Sequence, residues 1–324
     1  MQISIYLGRK KMKRKTIHLL MGLMLALTLV SNVNAQTTNP RFAFILKTLA
    51  NPFWVTMKEG IQAEAKKQNV TVDIFAVQSE ADTQAQLQQF ENLLNKGYDG
   101  IAFAPISPVN LIQAAAQAYK KGIKLVNVDE KVDMAALKSA GANIFAFVTT
   151  DNKAVGAKAA NFIVQQIGPK GGEVAIIEGR AGAASGEDRK SGAASVFNNT
   201  PGFKLVASQP ADWDRIKALD VATNIIQRFP NLKAIYCAND TMALGAMQAV
   251  INSGESILVV GTDGDPEAVD MVKAGKLAAT VAQDPAAVGA EGLRQLIAAV
   301  KSGKQIPLNA EPLFIAVESK LITK

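Results

Sequence analysis

The chain has 324 residues, 48% of them hydrophobic and 19% charged, with a formal net charge of +7, one histidine and one cysteine. Six basic residues and no acidic one fall within positions 1–35, so nearly all of the positive excess belongs to that segment and is no footprint for nucleic acid. The histidine, His18, lies there too; the rest of the chain has no histidine base, Ser-His dyad or histidine metal ligand, and its lone Cys237 can form no internal disulfide.

Arg9, Lys10, Lys11, Lys13, Arg14 and Lys15 form a basic head, Leu19–Val30 is an almost unbroken apolar run, and Val33-Asn34-Ala35 closes it with small residues. This is the grammar of a cleaved secretory signal peptide over residues 1–35. The apolar run is about a dozen residues, short of the ~20 that a membrane helix needs. Both Met1 and Met12 are suitable starts, and the mature protein is expected to begin near Gln36. About 289 residues then remain, long for one core and natural for two.

Beyond that point short apolar runs alternate with amphipathic segments. The predicted strands are 42–46, 70–76, 100–104, 124–128, 144–148, 173–177, 204–207, 233–237, 257–260, 277–281 and 313–317. Helical patterns lie between most of them, among them 53–67, 83–95, 111–121, 215–229 and 285–301. Alternation of strand and helix implies parallel sheets covered on both sides, and the continuous Val/Ile/Phe runs fit strands buried on both faces. Eleven strands exceed one ordinary sheet. The predicted fold is α/β, with two doubly wound parallel sheets that meet near Thr149, and the last helix returns to the first lobe.

Helix starts are well marked. Asn51-Pro52, Asp265-Pro266 and Asp284-Pro285 each set a capping side chain before a proline at the first helical position, and Asp151, Asp212 and Asp240 read as caps without one. Ligands of open parallel sheets sit beyond the carboxyl ends of the strands. There the chain places Lys47 and Asn51, Asp129 and Glu130, Asn239, Asp263 and Gln283. Asn51 and Asn239 can be caps alone; Asp263 has Asp265 beside it to serve that purpose, and Lys47 at the end of a buried strand needs a partner. Phe53, Trp54 and Trp213 open helices at this edge instead of sitting on a packing face. Aromatic faces and a rim of mixed donors and acceptors suit a sugar, whose C–H faces are apolar and whose hydroxyls both donate and accept. No phosphate loop, dinucleotide fingerprint, nucleophile elbow, EF-hand or metal-spaced Cys/His set occurs, and Gly179–Gly186 fits no phosphate motif. No cofactor, metal or catalytic residue is expected. A glycosidase carboxylate pair is left open by spacing alone.

Lys47-Thr48-Leu49-Ala50-Asn51-Pro52-Phe53-Trp54, Pro210-Ala211-Asp212-Trp213-Asp214-Arg215, Asn239-Asp240-Thr241-Met242-Ala243, Val260-Gly261-Thr262-Asp263-Gly264 and Ala279-Thr280-Val281-Ala282-Gln283 resemble, in order, the bacterial periplasmic ribose-type sugar-binding proteins. Ala102–Pro105 and Asn127–Lys131 resemble the D-allose-binding members. The resemblance implies two Rossmann-like lobes joined by three hinge crossings, divided as 36–148 with 285–311 and 149–284 with 312–324, and a monosaccharide clamped in the cleft between them. It implies that Lys47, Asn51, Phe53, Trp54, Asp129 and Glu130 line the first lobe, and Arg189, Trp213, Asn239, Asp263 and Gln283 the second. From the residues alone, Arg189 is one solvated cation in a polar segment. The implied setting is the periplasm, and the implied partners of a monomeric receptor are the membrane permease of an ABC importer and a chemotaxis receptor. Lys47, Ala104 and Glu130 depart from the ribose-binding pattern, which carries serine, asparagine and arginine there; this points to an aldohexose, D-allose first. Repressors of this fold need a DNA-binding helix-turn-helix where the export signal stands, and the remaining alternatives are a periplasmic carbohydrate hydrolase and a binder of ribose.

Overall fold

The apolar runs become strands because their side chains alternate between two buried faces. In β1 (Arg41–Thr48), Phe42, Phe44 and Leu46 enter one core and Ala43 and Ile45 the other, all at 0% exposure. The computed structural model describes residues 39–324; the expected signal peptide lies outside the described residues. After β1 come α1 (Pro52–Gln68), β2 (Thr71–Val77), α2 (Thr83–Leu93), β3 (Gly100–Phe103), α3 (Ile112–Lys120), β4 (Lys124–Val128), α4 (Met134–Ser139) and β5 (Ala146–Thr150). A second series follows: α5 (Asn152–Ile167), β6 (Gly172–Glu178), α6 (Ala184–Asn199), β7 (Phe203–Pro210), α7 (Arg215–Arg228), β8 (Leu232–Cys237), α8 (Asp240–Ser253), β9 (Leu258–Asp263), α9 (Pro266–Lys273) and β10 (Ala279–Ala282). The chain ends with α10 (Pro285–Lys301), β11 (Leu313–Val317) and β12 (Lys320–Thr323).

The strands make two six-stranded sheets, ordered β11-β5-β4-β3-β1-β2 and β12-β10-β9-β8-β6-β7. Every neighbouring pair is parallel except β10 with β12. Each sheet has its switch point beside its first strand, at β1/β3 and β6/β8, where a crevice opens at the carboxyl ends. Helices cover both faces of each sheet, so each lobe holds two apolar clusters. In the first lobe α10 packs on α1, and at Gly60 a Cβ would lie 2.2 Å from the Ala286 carbonyl oxygen, so the two backbones meet only because that side chain is absent.

The chain crosses between lobes at Asp151, at Gln283-Asp284 and at Glu318-Ser319. Lys158 on α5 holds the third crossing, donating from Nζ to Ser319 Oγ at 3.0 Å. Two expectations change here. The strands number twelve among the described residues, the twelfth being β12. Residues 313–317 belong to the first lobe, not the second, because β11 pairs in parallel with Ala146–Thr150; only β12 joins the second sheet. The cap assignments also divide. Asn51, Asp151 and Asp284 accept from Phe53 N, Ala154 N and Ala287 N. Asp240 does not cap; Asn239 does, its Oδ1 accepting from Met242 N at 2.9 Å. Asp265 occupies a cap position without a side-chain bond, and α7 is capped by Asp214, not Asp212.

Candidate ligand-binding site

The carboxyl edges of the two sheets face each other, and the predicted polar residues converge there. Lys47, Asn51, Phe53, Trp54 and Asp129 from the first lobe and Arg189, Trp213, Asn239 and Asp263 from the second line one cavity, joined by Glu80 and Ser185. The space between these side chains, counted with the solvent that opens onto it, is about 310 Å³.

Local backbone geometry aims these groups. Asp129 follows β4 with φ +57°, a left-handed conformation that Asp tolerates better than most residues. Asp212 and Trp213 follow one another at φ +54° and +65°, which for an indole-bearing residue is uncommon and strained. Trp213 therefore precedes α7 in a loop and does not open the helix as expected. The loop is fastened by Asp214 N to Ala211 O at 2.9 Å and Ala211 N to Glu178 O at 3.0 Å. The indole lies flat on glycine: a Cβ at Gly179 would sit 2.0 Å from its ring, and one at Gly186 3.1 Å away. Asp263 closes β9 at φ +122° beside Gly264. Asp240 sets this turn, accepting from Gly264 N and Asp265 N at 2.8 Å each and from Thr280 Oγ1.

Three rings wall the cavity. Phe53 and Trp54 meet edge to face, with centroids 5.1 Å apart, and Trp54 Nε1 donates to Glu80 Oε1 at 3.1 Å. Trp213 Nε1 is buried without a hydrogen-bond partner, as is Gln283 Oε1. A buried donor in that condition is destabilising by about 1–3 kcal/mol, so a polar solute that reached it would be held by the difference.

The polar rim is charged on both sides. Lys47, 2% exposed, donates to Glu130 Oε2 at 2.9 Å and lies 3.6 Å from Glu80 Oε2. Burial acts to lower its pKa, but Glu130, Glu80 and Asp129 outweigh that and hold the ammonium above its ordinary value. Arg189 is not the solvated cation of the sequence reading: it is 5% exposed, donates from Nε to Asn152 Oδ1 at 2.8 Å and from NH1 to the Ala238 carbonyl at 2.7 Å, and lies 3.4 Å from Asp263 Oδ1. Burial pushes Asp129 up to about 7 against the pull of Lys47 and Arg189, and raises Asp263 likewise. Asn51 and Asn239 keep their cap bonds and still line the cavity, so each combines the two roles. Cys237 is buried, and burial raises its pKa well above the usual value; it is core, not nucleophile.

Two predicted lining residues lie elsewhere. Glu130 is fully buried behind Lys47, its carboxylate accepting from Lys47 and from Ser185 N and Oγ. Gln283 stands behind Asp263, donating from Nε2 to Oδ1 at 2.6 Å. Ala104, one of the three departures from the ribose-binding pattern, does not line the cavity and is in the same apolar cluster as Phe53 and Trp54 at 0% exposure. Glu80 and Ser185 were not anticipated. Glu80 lies in a turn after β2 with no pattern around it, and Ser185 is one of several small residues in a glycine-rich stretch. Among the described residues no group of three or more His, Cys, Asp or Glu side chains could hold a metal ion, and no helix is long and apolar enough to cross a membrane.

Two lobes of this topology with a shared cleft define a solute receptor, and the chain belongs to the periplasmic binding protein family: residues 42–305 match the model of its periplasmic binding protein domain. It is 64% identical over 285 residues to the D-allose-binding periplasmic protein of Escherichia coli K12, covering 87% of this chain and 92% of that one. To the ribose import binding protein RbsB of Bacillus subtilis it is 37% identical over 246 residues, 75% of this chain and 76% of that. An ABC transporter periplasmic solute binding protein from Actinobacillus succinogenes, solved with bound D-allose, is similar with a TM-score of 0.81 at 33% identity, covering 88% of this chain and 98% of that one. The Caulobacter myo-inositol binding protein bound to myo-inositol gives 0.77 at 29% identity, over 87% and 93%.

Proposed function

We propose that this chain is the periplasmic substrate-binding protein of an ABC sugar importer, and that it captures D-allose between its lobes without transforming it. The observation that carries this reading is a cavity to which both lobes contribute aromatic walls and charged hydrogen-bonding groups. The 64% identity to a D-allose-binding protein supports the choice of sugar. Phe53, Trp54 and Trp213 would lie against the C–H faces of the ring. Lys47, Arg189, Asn51 and Asn239 supply donors, and Asp129 and Asp263 acceptors, in a site where closure excludes competing water. Glu130 and Gln283 act from behind, by holding Lys47 and Asp263. A ligand that touches both lobes binds the closed arrangement better and shifts the population toward it. The chain works as a monomer, exported to the periplasm, and hands its sugar to a membrane permease; a chemotaxis receptor is a second recipient.

Isothermal titration of the mature protein with D-allose, D-glucose, D-galactose and D-ribose tests this. One site per chain of micromolar or tighter affinity, with D-allose preferred and the sugar recovered unchanged, is the expected result. Absence of hexose or pentose binding below ~1 mM, which is only about −4 kcal/mol, refutes the receptor. Conversion of the sugar refutes its passivity.

A further inference from the structure

Helix α6 carries Arg189 into the cavity, yet it begins badly. Its cap position is Ala183, which has no side-chain acceptor and makes no cap bond. The first backbone N–H groups of a helix have no partner within it and need one from outside. For α6 that partner comes from the opposite lobe. Glu130, on the loop after β4, accepts from Ser185 N at 3.1 Å through Oε1 and from Ser185 Oγ at 2.8 Å through Oε2. The same carboxylate accepts from Lys47 Nζ at 2.9 Å. Glu130 is wholly buried, Ser185 is 7% exposed, and Glu130 is not among the residues that line the cavity.

We propose that Glu130 is a capping group shared across the cleft: when the lobes close, it completes the first turn of α6, and it thereby sets affinity through the closing equilibrium without touching the sugar. Three features of the contact support this. A carboxylate at a helix N-terminus meets the positive end of the helix dipole. Its bonds are made to a backbone N–H and a hydroxyl of the other lobe, and they exist only while the lobes are together. Lys47, which does line the cavity, is held by the same oxygen that accepts from Ser185 Oγ, so closure and the placement of the sugar's donor are one event. A residue that acts this way changes apparent affinity by changing the fraction of molecules that are binding-competent, and it changes it equally for every sugar. A residue that touched an extra hydroxymethyl group would instead change the ratio between hexose and pentose.

The inference rests on the sugar-receptor reading, and its test separates the two. Ser185→Ala removes the hydroxyl from the cap, and Glu130→Gln weakens the whole contact; both are combined in a double variant. D-allose and D-ribose affinities are measured for the four proteins. Loss of a helix cap corresponds to about fivefold, and the charged acceptor at Glu130 to about tenfold or more. We expect both sugars to weaken by the same factor in each variant, and the double variant to be no weaker than Glu130→Gln alone. A hexose-to-pentose ratio that moves tenfold in Glu130→Gln overturns the proposal and returns Glu130 to the ligand shell. Multiplicative losses in the double variant overturn it as well, because the two residues would then not share one contact. If the wild-type protein binds neither sugar, the receptor reading fails. The latch is then decided by small-angle scattering of the sugar-free proteins: a larger radius of gyration in Ser185→Ala and Glu130→Gln supports it, and equal radii overturn it.

Discussion

Replacing Gly179 with alanine tests whether Trp213 is a wall of the binding site. Gly179 follows β6, and a Cβ built there lies 2.0, 2.2 and 2.4 Å from three carbons of the Trp213 ring. Carbon atoms rest at about 3.5–4.0 Å, so the indole has to retreat by roughly 1.5 Å or the strand end has to move. Trp213 lines the cavity, so displacing its ring reshapes that wall. Overpacking of this kind is destabilising by about 1–3 kcal/mol. In a protein of this size that lowers the melting temperature by about 2–4 °C for each kcal/mol. Sugar affinity should fall by at least tenfold, since the displaced ring no longer presents the wall against which the ligand packs. Gly186→Ala is the internal control: its Cβ would be 3.1 Å from the same ring, a mismatch of a few tenths of an ångström, and should alter affinity less than threefold. Titration with D-allose and tryptophan emission, measured on both variants, give the answer. Should Gly179→Ala bind within twofold of wild type with an unshifted emission maximum, the indole would not be the fixed wall described above.

Asp129 is held at about 7 by burial, against 3.8 in its ordinary state. Between these values the folded protein keeps a proton that the unfolded chain has released, so this group's contribution to stability falls as pH rises from about 4 to about 7 and is flat above. Asp129→Asn, compatible with φ +57°, should therefore melt higher than wild type at pH 8, with the gap closing at pH 5, while it binds sugar more weakly; equal melting at pH 8 would contradict the assignment. Sugar hydroxyls favour the ionised acceptor, so D-allose affinity should drop as pH falls from 8 to 6, and binding at pH 7 should release protons, visible as buffer-dependent heats. Asp240→Ala strands two backbone N–H groups and a threonine hydroxyl, which should be destabilising by about 2–4 kcal/mol in thermal or urea unfolding and should weaken binding through the misplaced Asp263.

Most of the strands were legible because a strand buried on both faces has nowhere to put polar residues, and runs such as Phe42–Leu46 and Lys233–Cys237 carry that signature. β12 escaped because it is an antiparallel edge with only Leu321 and Ile322 apolar. The assignment of 312–317 to the wrong lobe has a similar origin: β11 is an edge strand whose pairing is not written in its composition. Adjacent Asn239 and Asp240 could each have capped α8, and only the turn after β9, brought back by the fold, decides which one does. Nine of the eleven predicted site residues share one cavity because sheet topology alone brings carboxyl-end loops together. Whether a side chain lines that cavity or stands behind it depends on partners far away in sequence. Glu130 is drawn back by Ser185, fifty-five positions on, and no local pattern carries that information.

The return of α10 to the first lobe has a consequence for biogenesis. Val288, Leu293, Leu296 and Ile297 fill the apolar cluster under β1, β3 and β4, and β11 then extends the same sheet, while β12 extends the other. Both sheets are therefore completed only by residues 285–324. A nascent polypeptide lacking residues 285–324 has an uncovered face on its first sheet and no means of sealing it. On the export route proposed above, such late completion keeps the ribosome-bound and newly released chain from locking prematurely into its final shape.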